Sequence, residues 1–479
     1  AVVLSLLPAG VLKASAAEAP AALDIGYPTF KNTELLDEVY DLSKLGVSYS
    51  EKDIMMAIYK QDLANGGDSF YMDRILAREG VCSGNAGSNG NADGNTFLTR
   101  GRALYMYTSS PSVIGFGGNT AYHQPLGRGD LVRVLFSNAD GSLTTKEDTS
   151  KRVNAPSNWS STYSVGSNLT LDVVKFIHQE NVAVTTMTLT NKSAEDQAIT
   201  VAADSTFATE PGKVTVNGAE QTELTGTCSS PAGLTTIYAR MTGDGFEAAS
   251  SDDYCWLSRD VTVPAGGSVE RKVVTAFTTE EIPESTEQYL RFAGLGNLEA
   301  VRAQKAEYNL YWAENLPYID VPKKAVQKAI DYRWWLERFN SLDANIPGYD
   351  YQYPVTIEGV LGYNNAIILT QPMHLQDTKW LRSPYLAYGQ LLSAGNSSQS
   401  SAFLDNPGNR NNWNNHYGQY LAEAGYEAFN VIGGGAELAE NLAYYFGHDA
   451  TGQLDHYGNH IEGRDLIAYR NNYMTGNDA

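Results

Sequence analysis

No two cysteines in this chain are spaced C-x-x-C, and among 479 residues there are only three, Cys82, Cys228 and Cys255. That scarcity argues against a thiolate zinc site and against thioredoxin-like chemistry. Cys228 and Cys255 could bridge neighbouring strands after export, or each remain a free buried thiol. Positive charge is also short. Lys and Arg number 34 against 55 Asp and Glu, a net charge of −21, and no basic stripe interrupts that balance. Nucleic acid and anionic membrane surfaces are therefore poor partners. G-x-S-x-G, H-E-x-x-H and G-x-x-x-x-G-K-[ST] are missing, and no G-x-G-x-x-G opens a helix after a strand. Serine hydrolase, zincin, P-loop and Rossmann readings lack their signatures, and no cofactor or metal is expected.

Long apolar runs are confined to the start. AVVLSLLPAGVLKASAAEAP contains Ala14-Ser15-Ala16, an A-x-A cleavage pattern, without an initiator Met or basic region before it. The expectation is a partial signal peptide over residues 1–17 and a secreted or cell-surface protein. The alternative, a buried helix, is interrupted by Pro8 and Gly10. No other stretch is long and apolar enough to span a membrane.

What is present falls into segments. Residues 24–95 hold helix-like pieces such as 51–63 and a polar flexible loop at 83–95. From 96 to 280 the pattern is β. LTLDVVKFIH and NVAVTTMTL alternate in period two around Gln179-Glu180, and further runs follow at 197–207, 234–242 and 268–278. Pro211-Gly212, Asn217-Gly218 and Gly243-Asp244-Gly245 read as turns, so an antiparallel sandwich is expected. Residues 281–318 read as a helical linker broken at Gly294 and Gly296. Helical patterns dominate 319–479, at 321–340, 412–432, 436–446 and 464–473. The chain length fits two or three domains.

The richest stretch for chemistry is 349–395. Tyr363-Asn364-Asn365 leads through an apolar run to Gln376-Asp377-Thr378-Lys379-Trp380-Leu381-Arg382. Ser383 then caps a helix with Pro384 at its first position and Tyr385, Tyr388, Leu391 and Leu392 on one side. This puts Asp377 in a connecting segment just before a helix, among aromatics and amides. Flat rings cover the apolar face of a sugar, amides and Arg meet its hydroxyls, and one acid can protonate a glycosidic oxygen. In the plainer alternative Asp377 caps a turn or pairs with Lys379 or Arg382.

Glu358 could line the same pocket or be a solvated loop acid. Of the adjacent Trp334 and Trp335, one could face the cleft as a sugar platform, taken as Trp335, or both could pack in the core. The amides of 411–415, Asn415 among them, could bind hydroxyls beside His416. His416, Glu423 and Glu427 share one helix face, more simply a solvated one, with Glu423 a weak candidate for a second carboxylate.

A β-sandwich, a helical linker and a helical toroid carrying an aromatic-rich loop with an Asp before a helix resemble the (α/α)6-barrel glycoside hydrolases. The similarity is to mannosylglycerate-hydrolase-like and glycoside hydrolase family 63-like proteins. It is carried by Tyr363-Asn364-Asn365 through Gln376-Asp377-Thr378 to Arg382-Ser383-Pro384, with Gln376 where those families have Trp. The resemblance implies a multidomain β + α fold: a supersandwich-like antiparallel sandwich, a helical linker and an incomplete (α/α)6 toroid over 319–479. It implies inverting hydrolysis of an oligo- or polysaccharide with Asp377 as general acid. Trp335, Glu358, Tyr363, Asn364, Gln376, Trp380, Arg382, Asn415 and His416 are the expected subsite residues. The general base is expected beyond Ala479, the chain being read as a fragment. A phosphorylase of similar architecture and a non-catalytic carbohydrate-binding surface protein are the alternatives.

Overall fold

The structure, a computed structural model, describes residues 101, 113–117, 130–229, 235–252, 254–317, 321–342, 353–356, 370–396, 421–434, 460–461 and 466–467. The β-patterned region becomes strands β1 (Arg133–Asn138), β2 (Gly141–Ser142), β3 (Thr145–Asn154), β4 (Trp159–Val165), β5 (Leu169–His178), β6 (Val182–Asn191) and β7 (Gln197–Asp204). It continues with β8 (Glu210–Val216), β9 (Ala219–Ser229), β10 (Thr236–Gly243), β11 (Glu247–Ser251), β12 (Tyr254–Val263) and β13 (Ser268–Thr278). These make two antiparallel sheets: five strands in the order β11-β12-β7-β1-β2, and eight in the order β3-β4-β5-β6-β13-β10-β9-β8. Period-two alternation gives each sheet an apolar face, and the two faces close on each other. Phe136, Val201 and Leu257 of the smaller sheet meet Trp159, Leu171, Met187 and Phe277 of the larger in one cluster. The architecture is a β-sandwich with a helical part following it.

Alternation stops partway along β5 and β6. Lys175 to His178 and Val182 to Met187 are buried at every position. The cause is a third layer, α1 (Pro283–Gly294) and α2 (Asn297–Asn315), lying on the outer face of the larger sheet. Phe176, Val184 and Val274 pack there against Tyr289, Phe292 and Ala300. A sheet covered on both faces needs apolar residues on both. Thr279 Oγ1 accepts the Glu281 and Ile282 N–H groups at 3.2 Å, and Pro283 fills the first turn of α1. The linker is therefore a packed layer.

After residue 321 come α3 (Lys324–Asn340), β14 (Ser341–Leu342), β15 (Val355–Thr356), α4 (Gln371–Thr378), α5 (Tyr385–Asn396) and α6 (Leu421–Ile432). Last are β16 (His460–Ile461) and β17 (Leu466–Ile467). α4 packs on α3, α5 and α6. α5 starts as its sequence indicates: Ser383 Oγ accepts the Tyr385 N–H at 3.2 Å, and Tyr385, Tyr388, Leu391 and Leu392 are buried. Gly389 lets it reach the chain before β15, because a Cβ there would lie 2.3 Å from Pro354. α6 ends at Gly433, whose φ of +80° suits glycine and whose N–H bonds Phe429 O at 2.8 Å. No described helix is long and apolar enough to cross a membrane.

Several expectations change. Pro211-Gly212 is not a turn but lies inside β8. Cys228 and Cys255 are free thiols, on strands of different sheets. Leu466 and Ile467, expected in a helix over 464–473, pair with His460 and Ile461 as strands. Residues 51–63, 83–95, 412–420 and 436–446, with Cys82, lie outside the described residues.

Candidate active site

Asp377 lies in the last turn of α4, not in a connecting segment. Pro372 sits in the first turn, where its missing N–H costs nothing, so the QPMH stretch starts a helix instead of ending a loop. Arg333 on α3 closes on the carboxylate: Nε donates to Oδ1 and Oδ2 at 2.9 Å each, and Nη2 donates to Oδ2. Next to it, Trp334 Nε1 donates to the Asp377 carbonyl at 2.9 Å. The hydrogen bond to Asp377 pushes the Arg333 guanidinium above its usual pKa. The Arg333 side chain is 57% exposed and that of Asp377 18%.

One turn along both helices, His374 Nδ1 meets Glu337 Oε1 at 2.8 Å. Stepping forward from Arg333 to Glu337 while stepping back from Asp377 to His374 is what antiparallel neighbouring helices require. The far side of α4 engages α6. Glu427 Oε2 accepts Gln376 Nε2 at 2.6 Å and Lys379 Nζ at 2.8 Å, and Lys379 also donates to Gln376 Oε1. Hydrogen bonds from Lys379 and Gln376 hold the Glu427 carboxyl below the usual range. Behind this, α5 buries Gln390 and Ser393 on one face, and neither the Gln390 amide nor the Ser393 hydroxyl has a hydrogen-bond partner among the described residues.

The sequence candidates separate on this geometry. Trp380 follows Asp377 by one turn and is 53% exposed, with Lys379 Nζ 5.4 Å from its ring centre. Arg382 is exposed, and its backbone N–H bonds Asn315 O at 2.9 Å. Gln376 is committed to Glu427 and Lys379. Trp335 is not a platform. Both it and Trp334 are buried, and the Trp335 ring stacks on Phe339 at 4.9 Å with no open face. Glu423 is exposed on α6. Glu358, Tyr363, Asn364, Asn415 and His416 lie outside the described residues. Sequence reasoning missed Arg333 as the partner of Asp377 and missed the Glu337–His374 pair. A usable signal for both was present: Arg333 and Glu337 are four apart on one helix, an acid and a base sharing a face.

Together these residues form a helix end bearing a partly shielded carboxylate, an adjacent guanidinium and a half-open indole. Such a surface can stack a sugar ring and engage its hydroxyls.

No protein-family profile matches this sequence. Among solved structures the chain is similar to a provisionally described kojibiose phosphorylase from the human microbiome, at 10% identity over 70% of this chain and 53% of that one, with a TM-score of 0.46. It is also similar to a family GH92 inverting mannosidase from Bacteroides thetaiotaomicron, at 14% identity over 72% and 49% of the two chains, TM-score 0.38. A family GH92 α-mannosidase from the same organism aligns at 10% identity over 76% and 55%, TM-score 0.32. The chain spans about half the length of these structures. The likeness is too loose to carry any residue's role from one chain to another.

Proposed function

We propose that this chain belongs to an exported carbohydrate-active enzyme that cleaves a glycosidic bond with inversion, and that the helices from α3 onward are part of an (α/α)6 ring. The observation that carries the proposal is the end of α4, where the Asp377 carboxylate is paired with Arg333 and the half-open Trp380 follows three residues later. A pyranose stacked on Trp380 brings its glycosidic oxygen toward Asp377 and its hydroxyls toward Arg333. As the sugar docks, Arg333 turns from the carboxylate to a substrate oxygen, and Asp377, having taken a proton from water, is left as the acid. The proton then passes from Asp377 to the leaving oxygen. Inversion also needs a second carboxylate roughly 6.5–9.5 Å away across a water. Glu337 and Glu427 are engaged by His374 and by Lys379 with Gln376, so neither is assigned that role.

The experiment is Asp377→Asn in the full-length protein. It is assayed on disaccharides and aryl glycosides with and without inorganic phosphate, and the product anomer is read by NMR. The expected loss in kcat is about 10²–10⁴-fold, with a stability change of at most about 1 kcal/mol because the ion pair is half open to solvent. Activity within tenfold of the parent removes Asp377 from the mechanism. Turnover that requires phosphate identifies a phosphorylase, and sugar binding without turnover by the parent identifies a binding protein.

A further inference from the structure

A second concavity lies on the sandwich, made from none of the residues of α3 to α6. It opens where β8 and β9 of the larger sheet come alongside β11 and β12 of the smaller, and its volume is about 590 Å³. That is the size range of small-molecule sites. Its wall includes Lys213, Gln221, Phe246, Glu247 and Arg259, with Glu220 at the rim. Gly243 and Gly245 add bare backbone to the wall, the first buried and the second exposed. Gly245 has φ +69°, and a Cβ on Gly243 would lie 2.6 Å from the Phe246 ring.

The polar groups are incompletely used. Arg259 Nη1 donates to Gly245 O at 2.8 Å, which fixes the guanidinium and leaves the rest of its fork unengaged among the described residues. Glu247 is exposed, and its side chain has no ion pair or hydrogen bond among the described residues. Gln221 Oε1 is buried and accepts no hydrogen bond among the described residues. Lys213 stands 3.9 Å from Glu220. Two cations and two carboxylates cancel. An anion would meet Glu220 and Glu247, a cation would meet Lys213 and Arg259, and an apolar ligand would leave every one of these groups unmet. A hydroxyl can donate its one proton to Glu247 and accept from Arg259, so one functional group serves both charges.

We propose that this cavity is a second ligand site, for a neutral polyhydroxy molecule of mono- or disaccharide size. It does not depend on the reading of α4. The test titrates the full-length protein with glucose, maltose, cellobiose and mannobiose by calorimetry and ligand-observed NMR, with inorganic phosphate as the charged control. Arg259→Leu and Glu247→Gln probe the cavity, and Trp380→Ala probes α4. Glu247→Gln changes one exposed side chain, so it keeps the test decisive if Arg259→Leu misfolds. The expected result is saturable binding of at least one sugar, weakened about tenfold by Arg259→Leu and about threefold or more by Glu247→Gln, with a component unaffected by Trp380→Ala. The proposal is overturned if no sugar binds, if phosphate alone binds, or if affinity stays within twofold in both cavity variants.

Discussion

Glu307 on α2 is the residue through which the helical layer holds the turn between β5 and β6. Its Oε2 meets His178 Nε2 at 2.9 Å and its Oε1 meets Arg291 Nη1 at 2.6 Å. His178 Nδ1 accepts the Glu180 N–H at 3.2 Å, so the ring proton sits on Nε2 and is donated to Glu307. Consider Glu307→Gln. The amide has one acceptor oxygen, and its NH2 must face either His178 Nε2–H or the Arg291 fork, both donors. The His178 side chain is 4% exposed and that of Arg291 38%, so the oxygen turns to His178 and Arg291 swings into water. A charge-assisted bond of about 1.5–3 kcal/mol becomes a neutral one of about 1 kcal/mol. A half-exposed ion pair of at most about 1 kcal/mol is lost as well. The net expectation is about 1–2 kcal/mol at pH 7, or roughly 2–6 °C in melting temperature.

The pH dependence sharpens this. Burial pushes the Glu307 carboxyl up, but His178 and Arg291 together outweigh it and hold it below its usual value of 4.5. A depressed folded pKa means stabilisation that is complete above the unfolded pKa and fades as pH falls through the folded one. The parent should therefore lose its advantage over Glu307→Gln as pH drops below 4.5, and keep it in full at pH 7. Paired thermal and urea unfolding at pH 7 and at a pH well below that value measures the gap. A gap that is the same at both pH values, or absent at pH 7, would refute the reasoning.

Trp335→Ala should cost about 3–5 kcal/mol of stability by opening a cavity beside Phe339. A sugar platform would instead lose affinity and keep its melting temperature, so the two measurements separate the roles. Lys175→Met should destabilise by about 2–4 kcal/mol. Lys175 is fully buried, donates to Val113 O and to Gly115 O at 2.7 Å, and lies 4.5 Å over the Trp159 ring. Stranding carbonyls costs about 1–3 kcal/mol each, and part of that is returned by removing a buried charge. Unchanged or increased stability in urea melts would contradict it.

What the sequence revealed depended on how local the cause was. The β5–β6 hairpin was legible because its alternation and its turn lie within 23 residues, and the observed register runs from Leu169↔Asn191 to His178↔Val182. β8 was misread because proline and glycine usually end strands. Pro211 is tolerated there because β8 is the edge of its sheet, where one side of the strand needs no N–H. The packed layer of α1 and α2 was read as a linker because the partners of Tyr289 and Phe292 lie on β5, β6 and β13, beyond any local window. Adjacent tryptophans on a helix point about 100° apart, which left open one inside and one outside or both in the core, and the second holds. The first assumes a helix with a single buried face, and α3 is covered on more than one side.

The candidate site shows the same limit in its chemistry. Asp377, Trp380 and Arg382 are legible as residue types, but the group that controls Asp377 is 44 residues earlier, on α3. Neither helix's own pattern names the other. Joining them are two acid–base rungs, Arg333–Asp377 and Glu337–His374, beside the Trp334 Nε1 bond to the Asp377 carbonyl, a pattern that fits α4 running antiparallel to α3. The first rung is open to water and the second largely closed, 57% and 18% exposed against 15% and 7%. Solvent can compete for the first and not easily for the second. The Glu337–His374 rung is therefore suited to keeping the helices in register while Arg333 and Asp377 exchange partners. On the proposed function, that division between a fixed cross-link and a releasable one is what lets Arg333 leave Asp377 without the helices shifting.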